Sequence, residues 1–179
     1  MKTTLIALIA AAGVANAGLV EVVDISGIET WDAEGDPDNT VIAVDLGGPA
    51  TVTSIGWDVD QFAGLDIDGA SWLSEMTIGI DWDQDGVNDL FITPSATAAP
   101  GSELNSSGGL LLLADVALPD GDVITGSFNI EFFESFVDDA DIAEGVFNQG
   151  STLSFGYVPA PGAAALLGLG GLVAARRRR

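Results

Sequence analysis

Histidine and cysteine are absent from this 179-residue chain, and its five basic residues lie only near its ends, as Lys2 and Arg176 to Arg179. From Thr3 to Ala175 no side chain carries a positive charge. Each gap closes a class of function. Without cysteine no disulfide stabilises the fold. Without histidine, cysteine or an internal lysine, the usual bases, nucleophiles and oxyanion clamps are missing, so the chain is expected not to be an enzyme. Paired carboxylates could hydrolyse a glycoside, but among 27 acids any chosen pair is arbitrary. Nucleic acid is excluded as a partner, because nothing in the central region could neutralise phosphates.

What is present is acid. The net charge is −22, and every Asp and Glu lies between Glu21 and Glu144. That much self-repulsion calls for salt or bound cations around the folded state. Polar and apolar residues alternate in short runs divided by turn residues. Leu19–Ile25, Val41–Leu46, Thr51–Val59, Glu75–Trp82, Asp89–Thr93, Leu110–Leu118, Val123–Phe133 and Ser151–Tyr157 read as strands. In Val123–Phe133, for example, Phe128, Ile130 and Phe132 alternate with Ser127, Asn129 and Glu131. Glu29–Asn39, Pro94–Gly109 and Val137–Gln149 read as irregular. No helical period is sustained, and no linker or fixed-period repeat divides the region. The expectation is all-β: one antiparallel β-sandwich, jelly-roll-like, over residues 18–157.

One internal stretch could carry chemistry. Asp81-Trp82-Asp83-Gln84-Asp85-Gly86-Val87-Asn88-Asp89 has the form D-x-D-x-D-G-x-x-D between two expected strands. Alternate carboxylates in a tight loop turn several oxygens onto one hard cation, glycine allows the sharp bend, and the Val87 carbonyl can join. Asp81, Asp83, Asp85, Val87 and Asp89 are therefore the candidate Ca2+ ligands. The competing reading is an acidic hairpin turn; spacing and Gly86 favour calcium. The loop resembles the calcium-binding hairpins of integrin-type β-propeller repeats, with Leu90 following as it does there. It departs from an EF-hand, since Ile92 stands where a bidentate Glu is needed. Asp66-Ile67-Asp68-Gly69 reads as a turn and Asp138-Asp139-Ala140-Asp141 as a solvated cluster. Trp31 and Trp72, near loops, are the better candidates for a sugar platform, against a favoured reading of core or rim packing, and Trp57 reads as core.

The two ends carry an address. Met1-Lys2, the apolar run Leu5–Val14 and Ala15-Asn16-Ala17 form an export signal, with cleavage expected between Ala17 and Gly18. Residues 158–179 combine Val158-Pro159-Ala160-Pro161, an uncharged run Gly162–Ala175 and Arg176, Arg177, Arg178 and Arg179. The apolar run is shorter than the roughly 20 residues that span a bilayer, but arginine stems can snorkel to headgroups and anchor the cytoplasmic side. This tail resembles the PEP-CTERM sorting signal, a Val-Pro-Glu-Pro box followed by an apolar helix and an arginine cluster; Ala160 stands where the box has Glu. The resemblance implies a C-terminal membrane helix, recognition by an exosortase-type enzyme, tail removal near the box, and delivery to the cell surface or extracellular space. Two roles are then expected: a non-catalytic structural protein of the surface or matrix, or a carbohydrate-binding module for exopolysaccharide. No organic cofactor is expected.

Overall fold

The computed structural model describes residues 18–64, 71–116, 123–124, 126–139 and 142–160. Ala15, Ala17, Pro161, Arg176, Arg177, Arg178 and Arg179, and with them the signal peptide and the apolar tail, lie outside the described residues, as do Asp66 and Asp68. Among the described residues no helix is long and apolar enough to cross a membrane.

The fold is all-β. The strands are β1 (Leu19–Asp24), β2 (Glu29–Thr30), β3 (Thr40–Asp45), β4 (Ala50–Ala63), β5 (Met76–Asp81), β6 (Leu90–Ile92), β7 (Gly101–Ser106), β8 (Leu111–Leu112), β9 (Val123–Ile124), β10 (Ser127–Glu134), β11 (Gly145–Phe147) and β12 (Thr152–Pro159). They form two antiparallel sheets, one ordered β1-β12-β4-β11-β2 with β7, β8 and β9 also on β4, the other ordered β3-β10-β5-β6. The 14-residue β4 is the spine of the larger sheet. It pairs with β12 and then β11, and in the opposite direction of the sheet with β9, β8 and β7 in turn.

Alternation explains most of these strands, and three departures have physical causes. Pro94–Gly109 is not all loop: Gly101–Ser106 is β7, drawn into the sheet by pairing with Asp58–Ala63. Leu110–Leu118 is not one strand: Leu111–Leu112 pair with β4, and Leu113–Val116 coil into a 3-10 turn. Val137–Gln149 contains β11, whose Gly145 is required because a Cβ there would meet the Thr30 hydroxyl at 2.7 Å and the Met76 sulfur at 2.8 Å.

The register of β4 also breaks strict alternation. Tyr157 pairs with Val52 but Gly156 with Ser54, so Thr53 is the extra residue of a bulge. The bulge turns Val52 inward with Ile55 and Val59, whereas period two alone would put Val52 on the opposite face. At the other limit of the domain, β12 continues through Val158 and Pro159, past the expected end at residue 157, because Thr51 and Ala50 extend the pairing. Proline is tolerated as the last strand residue, where a missing N–H costs least. The Ala160 N–H then donates to the Pro49 carbonyl at 2.8 Å.

The sheets enclose a core that changes character along its length. One part is aromatic: Phe128 lies 4.8 Å from Phe155 and 5.0 Å from Trp82 between ring centroids. Each buried ring contributes roughly 1.5–3 kcal/mol of burial. Another part is polar. Glu134 follows the inward parity of Phe128, Ile130 and Phe132, and it is buried together with Thr30, Gln61, Ser71 and Glu144.

Candidate metal centre

The loop between β5 and β6 is built on Trp82. Its ring is anchored in the aromatic core, and its backbone N–H donates to Asp89 Oδ2 at 2.8 Å, closing the loop base. Asp81 is the last residue of β5 and is 5% exposed. Its carboxylate accepts the Asp85 N–H at 3.2 Å and the Gly86 N–H at 3.0 Å, which curls the chain around it. Gln84 and Gly86 take positive φ, 62° and 88°, to complete that turn; glycine does so without strain.

One oxygen each of Asp81, Asp83 and Asp89 lies within 4.8 Å of the others. Crowding removes water from the Asp83 carboxyl, and Asp85, Asp89 and Asp81 repel its charge, so its pKa is raised despite the Asp85 N–H bond. A cation in the loop would reverse that repulsion. The Asp85 carboxylate is placed differently. Asp85 caps its own turn, accepting the Val87 N–H at 2.9 Å, and does not join the trio. Val87 is exposed.

A second trio lies in the loop between β2 and β3. Asp32, Asp36 and Asp38 also bring carboxylate oxygens within 4.8 Å of one another. In sequence, Gly35-Asp36-Pro37-Asp38-Asn39 reads only as turn chemistry; the signal available was the alternate spacing of Asp36 and Asp38 beside a glycine. Asn39 organises this loop. Its Oδ1 accepts the Asp32 N–H at 3.1 Å, and its Nδ2 donates to the Ala33 carbonyl at 2.8 Å.

Glu131 joins the two loops. Its Oε1 accepts the Gly35 N–H at 2.7 Å and Asn39 Nδ2 at 2.9 Å. Its Oε2 accepts Asn88 Nδ2 at 2.8 Å, and the same Nδ2 donates to Glu34 Oε1 at 3.0 Å. Asn88 lies directly over Gly79 of β5, where a Cβ would come within 2.5 Å of its amide. Both acidic loops are thus tied to one carboxylate in the middle of β10.

The tryptophans divide by position. Trp82 is core, Trp57 is half-buried against it, Trp31 is half-buried, and Trp72 is 42% exposed. Of the remaining expected site residues, Val158 and Pro159 lie in β12, and Gly18 immediately precedes β1.

No family model matches the chain, and no curated protein matches it. Two solved structures share some of its shape. The structure of the infectious bursal disease virus Gt strain is 11% identical with a TM-score of 0.32, covering 83% of this chain and 42% of the viral one. That of the Gx strain is 11% identical with a TM-score of 0.31, covering 79% and 38%. This chain therefore spans less than half the length of those viral chains. A likeness at that level carries nothing about activity.

Proposed function

We propose that the chain is an exported, non-catalytic protein of the cell surface or extracellular matrix, whose acidic sandwich is set by calcium. The carrying observation is the convergence of Asp81, Asp83 and Asp89 within a loop locked by its own backbone amides. Calcium takes carboxylate and carbonyl oxygens in irregular geometry, and residues 18–160 offer no side-chain cation of their own. Extracellular modules use such sites at high calcium concentration, which agrees with the export signal.

Calorimetric titration of the chelator-stripped full chain tests the loop. Calcium binding is expected to be saturable, and Asp83→Ala should weaken the loop site roughly tenfold by removing one charged ligand. Equal affinity in the variant, or the same heat response to sodium chloride, would reduce the carboxylates to a screened surface.

The tail is read as a sorting signal for an exosortase-type membrane enzyme. Since Val158 and Pro159 are paired with β4, processing near the box needs the end of β12 to peel from Thr51 and Ala50. Intact mass of the protein recovered from the surface of producing cells should match a chain that starts at Gly18 and lacks Arg176–Arg179. A mature mass that retains the four arginines would overturn this reading.

A further inference from the structure

The polar part of the core poses a problem that the acidic loops do not. Glu134 is 1% exposed, and Glu144, Gln61 and Ser71 are 0% exposed. Glu134 Oε2, Glu144 Oε2, Gln61 Oε1 and Ser71 Oγ are all buried without a hydrogen-bond partner. Buried polar atoms are almost always partnered, and leaving one without a partner costs about 1–3 kcal/mol, more when it is charged. Here four oxygens are left over in one region, two of them from carboxylates.

Their neighbours tie them together. Glu134 pairs across the strands with Met76, and the Gln61 amide Nε2 points to Met76 Sδ at 3.8 Å and to the Leu73 carbonyl at 3.0 Å. The Glu144 N–H donates to the Thr30 carbonyl at 2.9 Å, and the Thr30 hydroxyl donates to Glu134 Oε1. The Ser71 hydroxyl lies beside the Glu144 carboxyl, at the limit of hydrogen bonding, and favours its charged form. Both carboxylates show one pattern. Glu134 is held through Oε1 by Thr30, and Glu144 through Oε1 by the N–H groups of Asp138 and Asp139 at 2.7 and 2.6 Å. In each, the protein orients one oxygen and presents the other. Outer hydrogen bonds orient the ligands of a metal in this way.

We infer that Glu134 and Glu144 hold a divalent cation of the calcium type inside the sandwich, with the Gln61 carbonyl and the Ser71 hydroxyl as neutral ligands. No lysine, arginine or histidine exists in residues 18–160 to pair with these acids, so they are neutralised either by a proton or by a cation from solution. Two carboxylates match the charge of one divalent ion. All four free atoms are oxygens, the donor type calcium takes, and calcium tolerates irregular geometry where magnesium insists on an octahedron and keeps its waters. A proton on Glu134 or a bridging water would satisfy part of this set, whereas one divalent ion can engage all four oxygens. This site is separate from the acidic loops and stands without them.

The test uses the full chain, stripped by chelator, with calcium alone as the probe. In a variant with the loops neutralised (Asp36→Asn, Asp38→Asn, Asp83→Asn and Asp89→Asn), calcium should still raise Tm by at least about 5 °C. Adding Glu144→Gln should abolish that rise. No rise in the loop variant, or a rise that survives Glu144→Gln, overturns the inference. An Asp83→Ala titration indistinguishable from wild type, with the Tm rise intact in the loop variant, would leave the interior site standing and the loop reading fallen, so the two are distinguishable. Should the variants not fold, crystals of the wild-type chain grown in calcium decide the matter. An anomalous peak about 2.3–2.6 Å from Glu134 Oε2 and Glu144 Oε2 is expected, and a map with no peak there refutes it.

Discussion

In chelator, urea unfolding should show the protein becoming more stable as the pH is lowered from 8 towards 5. Paired carboxylates cost most proteins stability only below about pH 5, so their stability changes little over this range or falls further down. Here Glu134 reverses the sign. Burial is the main cause that lifts its pKa from the ordinary 4.5 to about 8; Glu144, Glu75 and Asp138 add repulsion, and the Thr30 hydroxyl opposes. The native state therefore keeps the Glu134 proton up to about pH 8, whereas the unfolded chain releases it near 4.5. Between those limits folding takes up a proton, so stability falls by about 1.4 kcal/mol per pH unit as pH rises. The contribution is complete below the unfolded pKa and lost through the folded one, up to roughly 5 kcal/mol across the window. Glu144 and Glu75 are raised by burial as well and push the same way. Asp24 and Glu103, lowered by hydrogen bonds from Ser26 and from Ser95, push the other way but are exposed to solvent screening. Glu134→Gln should flatten the slope and stabilise the protein at pH 8. A stability maximum at or above pH 7, or a variant with the wild-type slope, would refute the argument.

The strands were legible where one face is apolar. Phe128, Ile130 and Phe132 alternate in sequence and are fully buried in the structure, and Leu153, Phe155 and Tyr157 likewise mark β12. What was not legible depends on partners far along the chain. β7 carries Ser102, Glu103 and Asn105, a poor strand by composition, and exists because the long β4 offers it an edge. The bulge at Thr53 is a property of the pair β4–β12, not of either strand. The loop Asp81–Asp89 was visible because its carboxylates come from neighbouring residues. The trio Asp32, Asp36 and Asp38 is equally local, but its sequence reads as turn chemistry alone. Glu134 did leave a signal: an acid at the same parity as three core residues is an acid expected inside. Its meaning came only with Glu144, brought alongside through β11.

Glu131 shows the same limit at the acidic loops and sets the largest effect expected of a residue on the outer face of its sheet, where the loops cover it. In sequence it is the polar half of an alternating strand, interchangeable with Ser127 or Asn129. In the fold it accepts from Gly35, Asn39 and Asn88, residues 96, 92 and 43 positions away. Glu131→Ala removes the acceptor from all three donors while Asn39 and Asn88 remain buried. Hydrogen bonds to a charged group are worth about 1.5–3 kcal/mol each, and the stranded donors keep their desolvation cost. The expected loss is about 3–5 kcal/mol, a fall in Tm of roughly 10–15 °C. Glu131→Gln separates shape from charge. Its one carbonyl oxygen can still take Gly35 and Asn39, but its NH2 meets the Asn88 NH2, so the loss should be smaller and concentrated in the loop of Asp81–Asp89. Calcium titration then reads the coupling directly. Glu131→Ala should weaken binding at both loops together, because one carboxylate fixes both; Glu131→Gln should weaken the Asp81–Asp89 loop more than the Asp32–Asp38 loop. If Glu131→Ala lowers Tm while calcium affinity at both loops stays at the wild-type value, Glu131 only supports the sheet. The loops would then owe their geometry to their own turns, to Asp81 and Asn39 acting alone.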